Sequence, residues 1–222
     1  MRKQLLKFPK LTGPLRAYYN KYFGEKEIHY FFKKYKKYKN KYIFYDVGAN
    51  YGIFTFLFGR LSLLTISFDP IKECIEYIKR GYIYENILLV NQAVLDEETT
   101  LKINIPVEGN EKIFGKSSIS NQFDYSETRS IQTVTLDQYL EDIKKLNPEK
   151  LFIKIDVEGS EYNVINGGTN TLSSFDTTLL IEIEKRHNKN YLKVFTKLKS
   201  LNYEAFCLIN NDLNHIEKYL IF

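Results

Sequence analysis

The sequence predicts an α/β fold with a doubly wound, Rossmann-like sheet, and three observations predict it. An apolar β-type run, Tyr42-Ile43-Phe44-Tyr45, passes through Asp46-Val47-Gly48-Ala49-Asn50-Tyr51-Gly52 into an apolar helical run from Ile53 to Leu64. A second run, Leu64-Thr65-Ile66-Ser67-Phe68, ends in Asp69-Pro70. A third, Leu151-Phe152-Ile153-Lys154-Ile155, ends in Asp156 and is followed by Glu158 and Glu161. Open α/β sheets bind ligands at the carboxyl ends of their strands, and all three acidic ends fall there.

The elements follow in order. Residues 1–40 read as a basic, Tyr-rich helical arm, and 41–222 as one domain. In the arm, Phe31, Tyr35, Tyr38 and Tyr42 recur at helical spacing among Lys33, Lys34, Lys36, Lys37 and Lys39. Strand 41–47, helix 51–63, strand 64–68 and helix 70–85 come next. Ile87 to Val94 reads as the third strand, which brings Gln92 and Ala93 to its end. From about 99 to 135, apolar and polar residues alternate around a Gly/Ser/Asn-rich stretch. That stretch reads as a β-type insertion, a hairpin or loop over the active site. A helix from Leu136 to Leu146 leads to the Asp156 strand. Helix 159–172, strand Thr178–Glu184 and helix Tyr191–Leu201 follow. Tyr203–Ile209 and His215–Phe222, joined by Asn-Asn-Asp, read as an antiparallel hairpin at the sheet edge.

A chain of 222 residues is long enough for one well-cored domain. Its 44% hydrophobic and 27% charged residues are ordinary for a soluble globular protein. No apolar stretch reaches the roughly 18 residues of a membrane span. No long apolar core follows the basic residues of the N-terminus, so no signal peptide is expected. Cys74 and Cys207 suggest no disulfide framework and read as reduced thiols of a cytoplasmic protein. Charge is uneven. Residues 1–41 hold 13 Lys and Arg against two Glu, a balance of +11, and the remainder is net −6. The arm is therefore either a solvated face over a packed aromatic stripe or a foothold for an anionic partner: membrane surface, nucleic acid or phosphorylated substrate.

The residue types narrow the cofactor. Asp46 stands just before the first glycine, where its carboxylate would face the bound ligand. It would repel a pyrophosphate and attract an ammonium or a sulfonium. No Gly-Lys-Ser/Thr ending makes this a triphosphate loop. S-adenosylmethionine fits a carboxylate beside a glycine turn. Asp69, roughly 20 residues past the turn, is placed to accept hydrogen bonds from both ribose hydroxyls. It is also placed to cap the helix that starts at Pro70.

With Lys154-Ile155-Asp156-Val157-Glu158-Gly159-Ser160-Glu161, Gly167 and Ile181-Glu182 added, the chain resembles the FkbM family of methyltransferases from about Tyr45 to about Ile209. Membership implies a class I, S-adenosylmethionine-dependent enzyme with a seven-stranded Rossmann-like sheet. The acceptor it implies is a hydroxyl on a carbohydrate, glycan precursor or natural product. Asp69 departs slightly, since the family more often has Glu there. Cofactor-binding candidates are Asp46, Gly48, Ala49, Asn50, Gly52, Asp69 and Ala93. Catalytic candidates are Asp156 as the group that accepts the hydroxyl proton, Lys154 as its partner on the same strand face, Glu158, and His187 as a histidine base. Glu182, Asp156 and Glu158 could converge as a divalent cation site of oxygen ligands. Ser117-Ser118-Ile119 resembles a family Ser-Ser-Leu element and reads as a lid or substrate contact.

Two other classes use the same architecture. A nicotinamide-dependent oxidoreductase or epimerase would carry Gly-x-Gly-x-x-Gly, whereas Asn50 stands where the second glycine belongs. A nucleic-acid methyltransferase would also carry positive charge, but no RNA-binding module is recognisable and RNA is not the expected substrate. A small-molecule or glycan acceptor is expected, and the arm is the place for any peripheral membrane contact.

Overall fold

The computed structural model describes residues 9–23, 26–81, 84–109, 111–119, 123–184, 191–210 and 212–216. Two helices, α1 (Pro9–Phe23) and α2 (Lys26–Lys36), precede strand β1 (Tyr42–Val47). Helix α3 (Ile53–Phe58), β2 (Leu64–Phe68), α4 (Lys72–Gly81) and β3 (Ile87–Val90) follow. After β4 (Ala93–Val94) come β5 (Thr100–Glu108), β6 (Glu111–Lys112), β7 (Ser126–Val134) and α5 (Leu140–Lys145). The chain continues through β8 (Lys150–Ile155), α6 (Glu161–Asn166), α7 (Thr169–Ser174), β9 (Thr177–Ile181) and α8 (Tyr191–Ser200). Strands β10 (Phe206–Ile209) and β11 (Asp212–His215) close the described chain.

Five strands form the central sheet in the order β3-β2-β1-β8-β9, and every pairing is parallel. The first strand thus lies in the middle, and helices cover both faces, as the doubly wound reading requires. The expected count of seven is not reached among the described residues, because β10 and β11 pair with each other as a separate antiparallel ribbon. The hairpin also turns earlier than expected, with its second strand starting at Asp212; Glu217 to Phe222 lie outside the described residues.

Period-two alternation sorts the central strands between two cores. Ile43, Tyr45, Val47, Leu151, Ile153 and Ile155 point to one face, with Val164, Ile165, Val194 and Leu198 packed over them. Tyr42, Phe44 and Phe152 point to the other, where Ile28, Phe32 and Tyr35 of α2 and Ala17 of α1 complete an aromatic core. Phe152 lies 5.1 Å from Phe31 and 4.5 Å from Tyr35, stacked on both. The aromatic stripe of the arm is therefore built into the domain, and the lysines at 33, 36, 37 and 39 are exposed.

Residues 99–135 join β4 in a second sheet, in the order β4-β7-β5-β6. Ile103, Ile105 and Ile131 bury its inner face against Ile71, Cys74 and Ala93. Arg129 fixes it to α4 with a two-pronged bond to Glu73, Nη1 to Oε2 at 2.7 Å and Nη2 to Oε1 at 2.8 Å. Two expectations are corrected nearby. The third strand of the central sheet ends at Val90, and Ala93-Val94 leaves it to pair in parallel with Thr133-Val134. The helix expected over 159–172 is two short helices, broken at Gly167-Gly168.

Candidate active site

The glycine loop is fixed from below. The N–H groups of Gly48 and Ala49 both donate to the carbonyl of Phe68, at 3.0 and 2.9 Å. Gly52 N donates to Ala49 O at 2.8 Å, and Asn50 N donates to Asp69 Oδ2 at 2.7 Å. Gly48 has φ 74°, and a Cβ there would stand 1.8 Å from the carbonyl oxygen of Asp156. Only glycine allows both that backbone and that approach of loop to β8.

Asp69 follows β2 directly and is 6% exposed. Its Oδ1 accepts from Ile71 N at 2.8 Å, so it serves the start of the next helix and the glycine loop at once. Burial pushes its carboxyl up to about 6, against the pull of the Ile71 and Asn50 N–H groups. Gln92 and Ala93 border the same crevice.

Asp46 departs from expectation. It is fully buried on the face of the sheet turned toward α3, below the loop, and does not line the crevice. Thr55 Oγ1 donates to its Oδ2 at 2.6 Å, and Ser67 Oγ lies 2.8 Å from that hydroxyl. Register puts Asp46 directly opposite Lys154 on β8, with Nζ 3.7 Å from Oδ1. The same ammonium donates to Gly48 O at 2.7 Å and lies 3.2 Å from Asp156 Oδ2. Burial works against the Lys154 charge, but Asp156 and Asp46 outweigh it and raise its pKa. Lys154 therefore joins the buried carboxylate, the loop and the half-buried carboxylate at the end of β8.

Glu158 was expected in the first turn of a helix. It sits before that helix in a left-handed turn at φ 53°, and its carbonyl accepts from Ser118 Oγ at 2.9 Å. The turn around Ser117-Ser118 thus closes over the end of β8, with the Phe114 ring 6.5 Å from Tyr51. His187 lies outside the described residues. Among the described residues no group of three or more acidic, His or Cys side chains is placed to hold a metal ion, so the proposed cation site at Asp156, Glu158 and Glu182 is not formed.

Two hollows meet at Gly48, Asn50 and Asp156. One, of about 70 Å³, lies beside Asp69, Gln92, Ala93 and the Phe114–Ser117 turn. The other, of about 430 Å³, lies beside Tyr51, Lys154 and Glu182. Arg16, Asn20 and Glu27 of the arm form its far wall. These three were missed from sequence, since no spacing or neighbouring motif marks them. A larger hollow of about 1340 Å³ runs along the edge of β9 toward α8 and the hairpin. Of the motif residues it touches Ile181 alone, and its volume is that left by the described residues.

The family description "Methyltransferase FkbM domain" matches residues 46–205. The chain belongs to the FkbM methyltransferase family. The match spans the glycine loop, Asp69 and the Asp156 strand, and it begins after the arm that walls the larger crevice. A solved structure of the methyltransferase FkbM from Methylobacillus flagellatus KT is similar at 15% identity and a TM-score of 0.49. That likeness covers 95% of this chain and 55% of the other, so this chain spans little more than half of that protein. No curated protein matches the chain.

Methyltransferases of this family generally use S-adenosylmethionine, and the site residues fit it. Each oxygen of Asp69 accepts one backbone N–H and keeps lone-pair capacity for a ribose hydroxyl. The loop approaches β8 too closely for any side chain at Gly48. The hollow at Asp69, about 70 Å³, is smaller than the roughly 300 Å³ of an ordinary ligand pocket, and the Phe114–Ser117 turn borders it.

Proposed function

We propose that this FkbM-family chain transfers a methyl group from S-adenosylmethionine to a hydroxyl on a carbohydrate, glycan precursor or natural product. One observation carries the choice of cofactor over a nicotinamide dinucleotide. The N–H groups of Gly48, Ala49, Asn50 and Gly52 are all engaged by Phe68 O, Asp69 and Ala49 O. A pyrophosphate needs such donors at the start of the helix; here those of Gly48, Ala49 and Asn50 hold the loop to β2 and its end, and that of Gly52 closes the loop on itself. An acidic end at Asp69, against Gln92 and Ala93, suits the hydroxyls and base of an adenosine.

Bound there, the cofactor supplies an electrophilic methyl group on a sulfonium. Asp69 holds the ribose end. Asp156, with its side chain 35% exposed where the two hollows meet, takes the proton of the acceptor hydroxyl. Lys154 aims that carboxylate and ties it to the Gly48 carbonyl, which keeps base and loop at one spacing. The hollow of about 430 Å³ takes the methionine end of the cofactor, and what remains of it takes the acceptor, room for about one sugar ring. Glu182 and Asn20 border it as groups able to bond hydroxyls.

The test is product formation. The full chain is incubated with S-adenosylmethionine and a panel of mono- and disaccharides and hydroxylated natural products, and S-adenosylhomocysteine is quantified. Release with at least one acceptor, reduced about 100-fold or more in Asp156→Asn, is expected. Release that depends on RNA or amine acceptors and not on any hydroxyl compound contradicts the reading.

A further inference from the structure

We propose that Arg16, in the N-terminal arm, is the receptor for the carboxylate of the cofactor's methionine tail; this rests on the cofactor reading above. Arg16 lies outside the family-matched residues 46–205. It nevertheless lines the same hollow as Gly48, Asn50, Tyr51 and Asp156.

Charge in that hollow decides the assignment. An amino-acid tail is a zwitterion. Glu27, on the same arm as Arg16, offers oxygens to its ammonium. Its carboxylate needs a cation, and the lining holds two, Lys154 and Arg16. Lys154 is already engaged by Gly48 O, Asp156 and Asp46. Arg16 has no ion-pair partner among the described residues. A carboxylate running from the Asp69 end across Gly48 therefore meets one uncommitted cation.

Arg16 is also pre-positioned. Its guanidinium carbon lies 5.5 Å from the ring centroid of Tyr51, a member of the glycine loop itself. That contact restrains a planar fork whose donors match the two oxygens of a carboxylate. The helix under it is firmly seated. Thr12 Oγ1 lies 2.8 Å from Tyr77 Oη on α4, Ala17 is buried in the aromatic core, and Asn20 Nδ2 donates to Arg16 O at 2.8 Å. The arm thus completes the cofactor site.

Calorimetry of the full chain with S-adenosylmethionine and decarboxylated S-adenosylmethionine, which differ only in the carboxylate, tests this. The unaltered chain is expected to prefer S-adenosylmethionine by about tenfold or more. Arg16→Gln is expected to lose that preference, with affinity for the decarboxylated ligand kept within about twofold as an internal check on folding. Arg16→Lys, which keeps charge without the fork, is expected to fall between. Equal affinity of the unaltered chain for both ligands overturns the proposal. So does an Arg16→Gln chain that keeps the full preference, or one that weakens both ligands alike. If the unaltered chain binds neither ligand, the cofactor reading fails first and this assignment falls with it.

Discussion

The backbone N–H of Asn50 donates to Asp69 Oδ2 at 2.7 Å, which ties the glycine loop after β1 to the end of β2. Asp69 is thereby the hinge of the site. Holding the loop requires a buried carboxylate, and burial raises its pKa to about 6. Because the folded state binds this proton more tightly than the unfolded chain, the stability it contributes is fully present below about pH 4. That stability is lost as pH rises through about 6. The difference is about 3 kcal/mol on the scale of 1.36 kcal/mol per unit. Urea titrations from pH 4 to 7 are expected to show this downward slope, and Asp69→Asn is expected to flatten it. The same variant is expected to weaken S-adenosylmethionine by about 1–3 kcal/mol. An identical pH slope in both proteins would contradict the assignment.

Lys154 holds two carboxylates and a carbonyl in a nearly water-free place. Lys154→Met is expected to cost about 3–5 kcal/mol, because it leaves Asp46 buried without a counter-charge. Asp46→Asn in the same chain is expected to recover part of that loss, read as a positive coupling in a double-mutant cycle by chemical denaturation. Simple addition of the two effects would show that the cross-strand pair is not coupled.

Gly48→Ala is expected to abolish cofactor binding and to destabilise the fold, since its Cβ would collide with Asp156 O. Gly109→Ala is the control. It has a similar backbone, φ 61°, with nothing within 4 Å of the added carbon, so a loss of about 1–2 kcal/mol with unchanged cofactor affinity is expected. Parallel melting curves and titrations of the two variants distinguish steric from conformational cost.

Phe152 of β8 stacks on Phe31 and Tyr35 of α2. Phe152→Ala is expected to cost about 3–5 kcal/mol. Deleting residues 1–40 is expected to lower stability severely, because buried Ile28, Phe32 and Tyr35 leave the core with it. A truncated chain as stable as the full one would make the arm a mere appendage.

The parallel centre of the fold was legible because its strands announce themselves twice. Tyr42–Val47 and Lys150–Ile155 are apolar runs, and each ends in the acidic or glycine residue that the ligand edge requires. Asp69 and the Lys154–Asp156 pair were readable for the same reason. The placement of Asp46 was not, since one residue in a strand decides whether a carboxylate faces the crevice or the interior. Of the groups that bind it, Thr55 stands on the next helix and Lys154 on a strand far along the chain, and neither pairing shows in the local pattern. The break at Gly167-Gly168 was hidden by a helical apolar pattern that continues across it. Arg16, Asn20 and Glu27 could not be found, because only packing of the arm brings them to the crevice. The hairpin was expected at the sheet edge, yet its two strands bond only to each other among the described residues.

Binding of S-adenosylmethionine to the folded full-length chain tests the central claim most directly. Calorimetric titration is expected to give a single site per chain, displaced by S-adenosylhomocysteine and weakened about 5- to 150-fold in Asp69→Asn. Absence of binding by either adenosyl ligand to folded protein, or saturable binding of NAD in their place, would contradict it.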